Sequence, residues 1–261
     1  AIAKGDLPQA HWFHLGRSVT SVHGMPTLLS WSARMFEYLM PLLVMRRYPG
    51  TLLDESCRMA VLLQQEYAKA RGVPWGISES AYAVVDRHDT YQYKAFGVPG
   101  LGLKRGLGEE LVVAPYAAAL AALVDPAAAA SNLRRLTVEG LEGEYGYFDA
   151  VDYTERENGQ PPAPSSERRG RAGVIVKTHM AHHQGMTLIA LANVLDGRRM
   201  VERFHADPRV QASELLLQER APRHALIIRP RPDDGTRLTA PVPPAAVRQF
   251  RSPHTTYPHA Q

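Results

Sequence analysis

The chain has 261 residues, 45% hydrophobic and 21% charged, with a formal net charge of +4 and a pI near 9.2; this is an ordinary globular composition, long enough to bury a sizeable core. Its basic excess is spread out, and the one tight cluster, Arg168, Arg169 and Arg171, reads as a solvated loop, so no nucleic-acid partner is expected. Cys57 stands alone, which excludes an internal disulfide framework, and no apolar run reaches the ~20 residues that span a bilayer.

No targeting signal is visible, and the start at Ala1 without an initiator Met suggests a fragment or a processed piece. Residues 1–28, with Trp12, Phe13 and three histidines, read as irregular packing. From Ser30 to Arg47 the pattern is helical, with Ser30 as cap and Pro41 as a kink. Tyr48-Pro49-Gly50 makes a turn. Asp54 then caps a helix to about Ala70, with Met59, Leu62, Leu63 and Tyr67 at helical spacing and Gly72 as its stop. Cys57 lies within it as a buried small hydrophobe.

The stretch 75–105 is non-helical and unusual. It sets Trp75, Tyr82, Tyr91, Tyr93 and Phe96 among Glu79, Asp86 and Asp89, and ends in a glycine-rich turn. Aromatic faces stack on sugar rings, and carboxylates accept hydroxyl hydrogen bonds or move protons, so a polyhydroxylated ligand would use both. A helix is expected over Glu109–Val124 and another from Asp125-Pro126 to about Thr137. Residues 141–154 fit neither helix nor clean strand, and 155–173 form a polar, proline-rich loop. Val174–Leu195 reads as one long helix, followed by shorter ones at about 197–206 and 208–220. Residues 221–261 hold eight of the 20 prolines and read as a linker. The whole suggests an all-α fold of helical hairpins: one domain over 1–220 and a linker over 221–261.

Cleavage of a glycosidic bond takes a proton donor and a second carboxylate across the sugar ring. Glu79, between Trp75 and Tyr82, is the candidate acid, in a setting where apolar rings would raise its pKa; the plainer alternative is a glutamate in a first helical turn. Asp149 is the candidate partner, with Glu142, Glu144 and Asp152 competing; a turn or capping aspartate is the plainer alternative. His179, His182 and His183 stand at i, i+3 and i+4, but the HExxH arrangement is absent. These histidines, with Gln184, read as polar residues facing a cleft, and no metal or other cofactor is expected. Residues 97–108 lack the order of a phosphate loop; their glycines bring Tyr93 and Lys104 to a cleft. No Gly-x-Ser-x-Gly elbow occurs, which disfavours a serine hydrolase.

The blocks SWSARMFEYLMP, PWGISESAY, TYQYKAFGVPGLGLKRGL, VVAPYAAALAALVDP, YGYFDAVDYT and MAHHQGMTLIALANVL, in this order, resemble the glucoamylase-like central region of bacterial cyclic β-1,2-glucan synthases. The resemblance runs from GDLPQAHWFHLGR to LLLQERAPR. It implies an (α/α)6-barrel-type domain, here partial, that cuts and rejoins linear β-1,2-glucan with retention and closes it into a ring. The proline-rich tail would lead to a phosphorylase-like domain, and the parent would be a large enzyme of the bacterial inner membrane. The partners implied are β-1,2-glucan and the parent's other domains. Glu79 falls on the general acid/base and Asp149 on the nucleophile. Trp75, Tyr82, Tyr91, Tyr93, Lys104, Tyr145, His182, His183 and Gln184 would hold the glucan. The family carries glutamate where this chain has Asp149. Losing one methylene moves a carboxylate by about 1.5 Å, and a misplacement near 1 Å can cost ~100-fold in rate. Slower transfer, hydrolysis of the endo-β-1,2-glucanase type, or use of Glu144 would follow. A non-catalytic glucan-binding segment is the further alternative.

Overall fold

The computed structural model describes residues 1–155, 173–222 and 227–230. The Arg168–Arg169–Arg171 cluster and nearly all of the two expected proline-rich segments, 155–173 and 221–261, lie outside the described residues.

The chain opens with a short helix α1 (His11–His14) and a hairpin of β1 (Val19–Val22) and β2 (Met25–Leu28). Residues 1–28 are therefore less irregular than expected. His23 and Gly24 both take positive φ, 48° and 79°, which gives a two-residue turn that matches strand twist. Helix α2 (Met35–Leu39) continues into a 3₁₀ turn, Met40–Leu43, in place of the helix expected from Ser30. The Ser30 hydroxyl accepts the Ala33 N–H at 2.9 Å, and Ala33 turns to φ 54°. That local bond diverts the chain, so the helix starts only at Met35.

Helix α3 (Leu52–Ala70) runs as expected, although its cap is Thr51: the Thr51 hydroxyl accepts from the Asp54 N–H. The Asp54 carboxylate instead takes Arg47 Nε at 2.7 Å. Next comes a second hairpin, β3 (Ser80–Val85) with β4 (Tyr91–Lys94), antiparallel and bulged between Ala81 and Val85. The helix expected over Glu109–Val124 is shorter. Val112–Val113 form β5, and α4 (Pro115–Ala121) starts at its proline, which has no N–H to donate and suits a first turn. Asp125 caps α5 (Pro126–Val138) as expected, accepting the Ala128 N–H at 3.0 Å.

A tight hairpin, β6 (Glu142–Gly143) with β7 (Gly146–Tyr147), leads into β8 (Ala150–Asp152). Val174–Val176 form β9, which pairs with β8 in the order β5-β8-β9, all antiparallel. The long helix expected from Val174 is thus a strand followed by α6 (Ala181–Leu195). Three successive β-branched residues favour the pleated surface over a helix. Then α7 (Arg199–His205), α8 (Pro208–Gln211) and a 3₁₀ turn, Glu214–Gln218, complete the elements.

The fold is helical with small sheets, so the all-α expectation is corrected. All of α4 is buried; its run of alanines lets α2, α5 and α6 pack against it. Among the described residues no helix is long and apolar enough to cross a membrane.

Candidate active site

Glu79 sits at the end of an extended segment that two buried side-chain amides hold in place. Asn132 on α5 accepts the Trp75 N–H at 3.1 Å and donates to the Trp75 carbonyl at 2.7 Å. Gln64 on α3 accepts the Ile77 N–H at 2.6 Å and donates to the Ile77 carbonyl at 2.7 Å. Each amide takes the place of a neighbouring strand, which satisfies backbone groups that burial would otherwise leave unpaired. Between them Gly76 adopts φ 118°, and a Cβ there would stand 3.2 Å from the Ala114 carbonyl oxygen. Ser78 Oγ accepts from the Phe36 N–H and from the Tyr116 hydroxyl, and that hydroxyl also reaches the Glu79 carbonyl at 3.0 Å. The acid's backbone is fixed from α2, α3, α4 and α5.

Its side chain is partly exposed and paired with the Arg34 guanidinium; Arg34 in turn approaches Glu37 at 3.4 Å. Beyond Glu79 the Tyr93 hydroxyl lies 3.2 Å from Nε2 of both His182 and His183. Burial, and then the negative charges of Glu79 and Asp149, push the Tyr93 phenol well above its usual range. Burial, with the charge of His183, lowers His182. The Tyr116 ring stacks on His183 at 3.8 Å and 9°, and burial raises its phenol too. A Glu79 oxygen and ring nitrogens of His182 and His183 all lie within 4.8 Å of one another, a spacing one ion could bridge, but Arg34 already holds Glu79 and Tyr93 holds both rings.

Asp149, the candidate second carboxylate, is buried. Its side chain is 0% exposed. Oδ1 lies 2.6 Å from His183 Nδ1, and Oδ2 accepts the Ala81 N–H at 2.8 Å. Both oxygens are thereby taken, so Asp149 meets the cleft through His183. Asp152, buried as well, accepts the Ala83 N–H at 2.9 Å. The two aspartates thus accept from alternate N–H groups of β3. Glu142 and Glu144 are exposed on the β6–β7 hairpin.

Of the other expected binding residues, Tyr93, His182 and His183 converge on Glu79. Trp75 does not; its ring is core, 9% exposed, because the Asn132 clamp turns this segment inward. Tyr82 packs edge-on against Phe96 at 5.5 Å. Tyr91 is half-buried, paired opposite Val85. The Lys104 ammonium donates to the Ala95 carbonyl at 3.2 Å, a turn-closing role. Tyr145 is 75% exposed on the hairpin tip and meets His179 edge-on. Gln184 donates to the Tyr147 carbonyl at 3.0 Å, tying that hairpin to α6. His179 precedes α6 and so leaves the helix face expected for it.

Three residues escaped the sequence reading. Arg34 has Glu37 three residues on as its local partner, so nothing nearby betrays the pair with Glu79, 45 positions away. Tyr116 lies in an alanine-rich run that reads as plain core. Trp31, 66% exposed on the loop that carries Arg34, was legible as an aromatic in a polar serine-flanked stretch.

Helices pack around a buried α4, and a carboxylate–histidine–tyrosine cluster is assembled where β3 and β4 meet α6. The family model Glycoamylase, described as "Putative glucoamylase", matches residues 3–206, and the chain belongs to that family. Among curated proteins, the cyclic beta-(1,2)-glucan synthase NdvB of Rhizobium meliloti (strain 1021) is 48% identical over 223 residues. The match covers 85% of this chain and 8% of that protein, so the chain spans a small fraction of its relative's length. A Bacteroides caccae structure described like the family aligns with TM-score 0.54 at 17% identity, covering 77% of this chain and 46% of that one. An endo-β-1,2-glucanase from Chitinophaga pinensis, in complex with sophorotriose and glucose, aligns with TM-score 0.53 at 17% identity over the same shares. At such identity these two matches speak for the fold alone.

Proposed function

We propose that this chain is the glycosyl-transferring part of a cyclic β-1,2-glucan synthase, cutting linear β-1,2-glucan and rejoining it with retention. The observation that carries the reading is Glu79, partly open to the cleft and rigidly mounted beside Arg34, Tyr93 and His182; the 48% identity to a cyclic glucan synthase supplies the substrate. Glu79 protonates the leaving glycosidic oxygen and then removes the proton of an incoming sugar hydroxyl. Asp149 is the nucleophile in this reading, and to attack it must exchange His183 for the anomeric carbon. Trp31, Tyr93 and Tyr145, three of the exposed rings among the described residues, offer faces on which sugars stack.

The same reading makes the helices part of an (α/α)6 barrel, with residues 1–220 in it and 221–261 leading to a following domain of an inner-membrane parent. Products formed from linear β-1,2-glucan by the intact protein test it. Cyclic or lengthened glucans support transfer; short linear oligomers alone would replace transfer with hydrolysis.

A further inference from the structure

Asp149, His183 and Tyr93 lie in one line of hydrogen bonds whose direction follows from elementary bookkeeping of donors. The His183 and Asp149 side chains are 2% and 0% exposed, so neither can take its partner from solvent. An ionised carboxylate only accepts; the proton in the 2.6 Å contact between Asp149 Oδ1 and His183 Nδ1 therefore sits on Nδ1. The carboxylate is further committed by the Ala81 N–H on its other oxygen. A neutral imidazole with its proton on Nδ1 has a lone pair on Nε2. At 3.2 Å from that lone pair stands the Tyr93 hydroxyl, and a phenol whose pKa is raised has a proton to give. The stacked Tyr116 ring holds the imidazole plane in the resting protein.

We propose that Asp149 and His183 form a directed chain that spends the Tyr93 proton inward, so that Tyr93 presents its oxygen to the Glu79 cleft as an acceptor. His183 and Asp149 are then positioning residues for Tyr93 in the resting protein. Tyr93 selects a ligand group that donates, such as a sugar hydroxyl, and turns it toward Glu79. The charged and titratable groups around this oxygen are Glu79 and Arg34 from the segments before β3 and α2, His182 from α6, and Asp149 behind His183. Two groups compete for the hydroxyl proton: His182 Nε2, at 3.2 Å, and the Glu79 carboxylate, which also hydrogen-bonds the phenol but is engaged by Arg34. The Asp149 anchor and the stack on Tyr116 hold the His183 lone pair in place for it. The purpose given to the acceptor oxygen rests on the proposed glucan function; the direction of the chain does not.

The test is nitrogen-15 NMR of the intact protein labelled at histidine, with His183 assigned by the loss of its signals in His183→Gln. The expected result is a neutral Nδ1–H tautomer for His183; a doubly protonated ring, whose Nε2–H would donate to Tyr93, overturns the proposal. In Asp149→Asn the amide N–H must donate to Nδ1, which reverses the tautomer to Nε2–H. Should that variant fail to fold, Tyr93→Phe serves: it moves the His183 Nε2 resonance and leaves Nδ1 where it was. An Nε2–H tautomer in the unsubstituted protein, or a Tyr93→Phe spectrum with Nε2 unmoved, overturns the proposal. Turnover of linear β-1,2-glucan is read in parallel, with an expected loss of about 100-fold for Tyr93→Phe from a misplaced hydroxyl. An unchanged rate overturns the role given to Tyr93, whereas the expected spectra with no turnover by the unsubstituted protein sink the glucan reading and uphold the chain.

Discussion

Replacing Gln64 with methionine removes the clamp on Ile77 at nearly constant volume. Two close bonds to Ile77 are lost, at 2.6 and 2.7 Å, with a long one to the Ala33 carbonyl at 3.5 Å, in a site where Gln64 and Ile77 are almost wholly buried. The consequences for the two backbone groups differ. The Ile77 carbonyl keeps the Met35 N–H at 3.1 Å, so its loss is that of one net hydrogen bond, about 1 kcal/mol. The Ile77 N–H is left unpaired in the core, which costs about 1–3 kcal/mol. The sum for Gln64→Met is a destabilisation of about 2–4 kcal/mol. For a domain of this size 1 kcal/mol lowers Tm by about 2–4 °C, so the midpoint should fall by roughly 4–16 °C in a calorimetric or circular-dichroism melt. A variant melting within 1 °C of the parent refutes the view that the amide, rather than the surrounding apolar packing, holds the segment that carries Glu79.

Other consequences can be checked in the same way. Gly76→Ala puts a Cβ 3.2 Å from the Ala114 carbonyl oxygen at φ 118°; strain of this kind costs about 1–3 kcal/mol, and the melt should show it, with turnover falling because Glu79 is three residues away. Cys57, fully packed, has a thiol that burial pushes up to about 12, so a disulfide reagent at pH 8 should leave it unmodified until the protein is denatured. Glu214 is held below its usual 4.5, first by its hydrogen bond to the buried His205 (2.5 Å). Its stabilisation is therefore present above about pH 4.5 and lost as pH falls through the lowered value. Glu214→Gln should narrow the fall in Tm between pH 5 and pH 3, and an identical slope in the two proteins would refute the assignment.

Most of what the sequence could reveal concerned single positions with strong local physics. Asp125-Pro126 announced a helix with proline in its first turn, and α5 starts there; the apolar spacing through Met59 and Tyr67 announced α3. Glu79, Tyr93 and the His182–His183 pair were legible as chemistry in an aromatic setting, and they do share one cleft. The misreadings came where tertiary partners decide. Val174–Val176 form a strand because β8 is there to pair with it; the β-branched run favours a strand, but the pairing partner lies far off in sequence. Trp75 looked like a stacking platform until Asn132, 57 positions away, turned it into the core. Nor does the sequence record that His183, 34 positions away, folds back onto Asp149.

The claim that matters most is that Glu79 supplies and removes the proton, and Glu79→Gln in the intact protein tests it directly. The substitution keeps the side chain's shape and removes its ionisable proton, so with linear β-1,2-glucan as substrate the variant should fold, bind the glucan and yield no cyclised, redistributed or shortened product. Turnover at the parent rate by the folded Glu79→Gln protein would contradict the account.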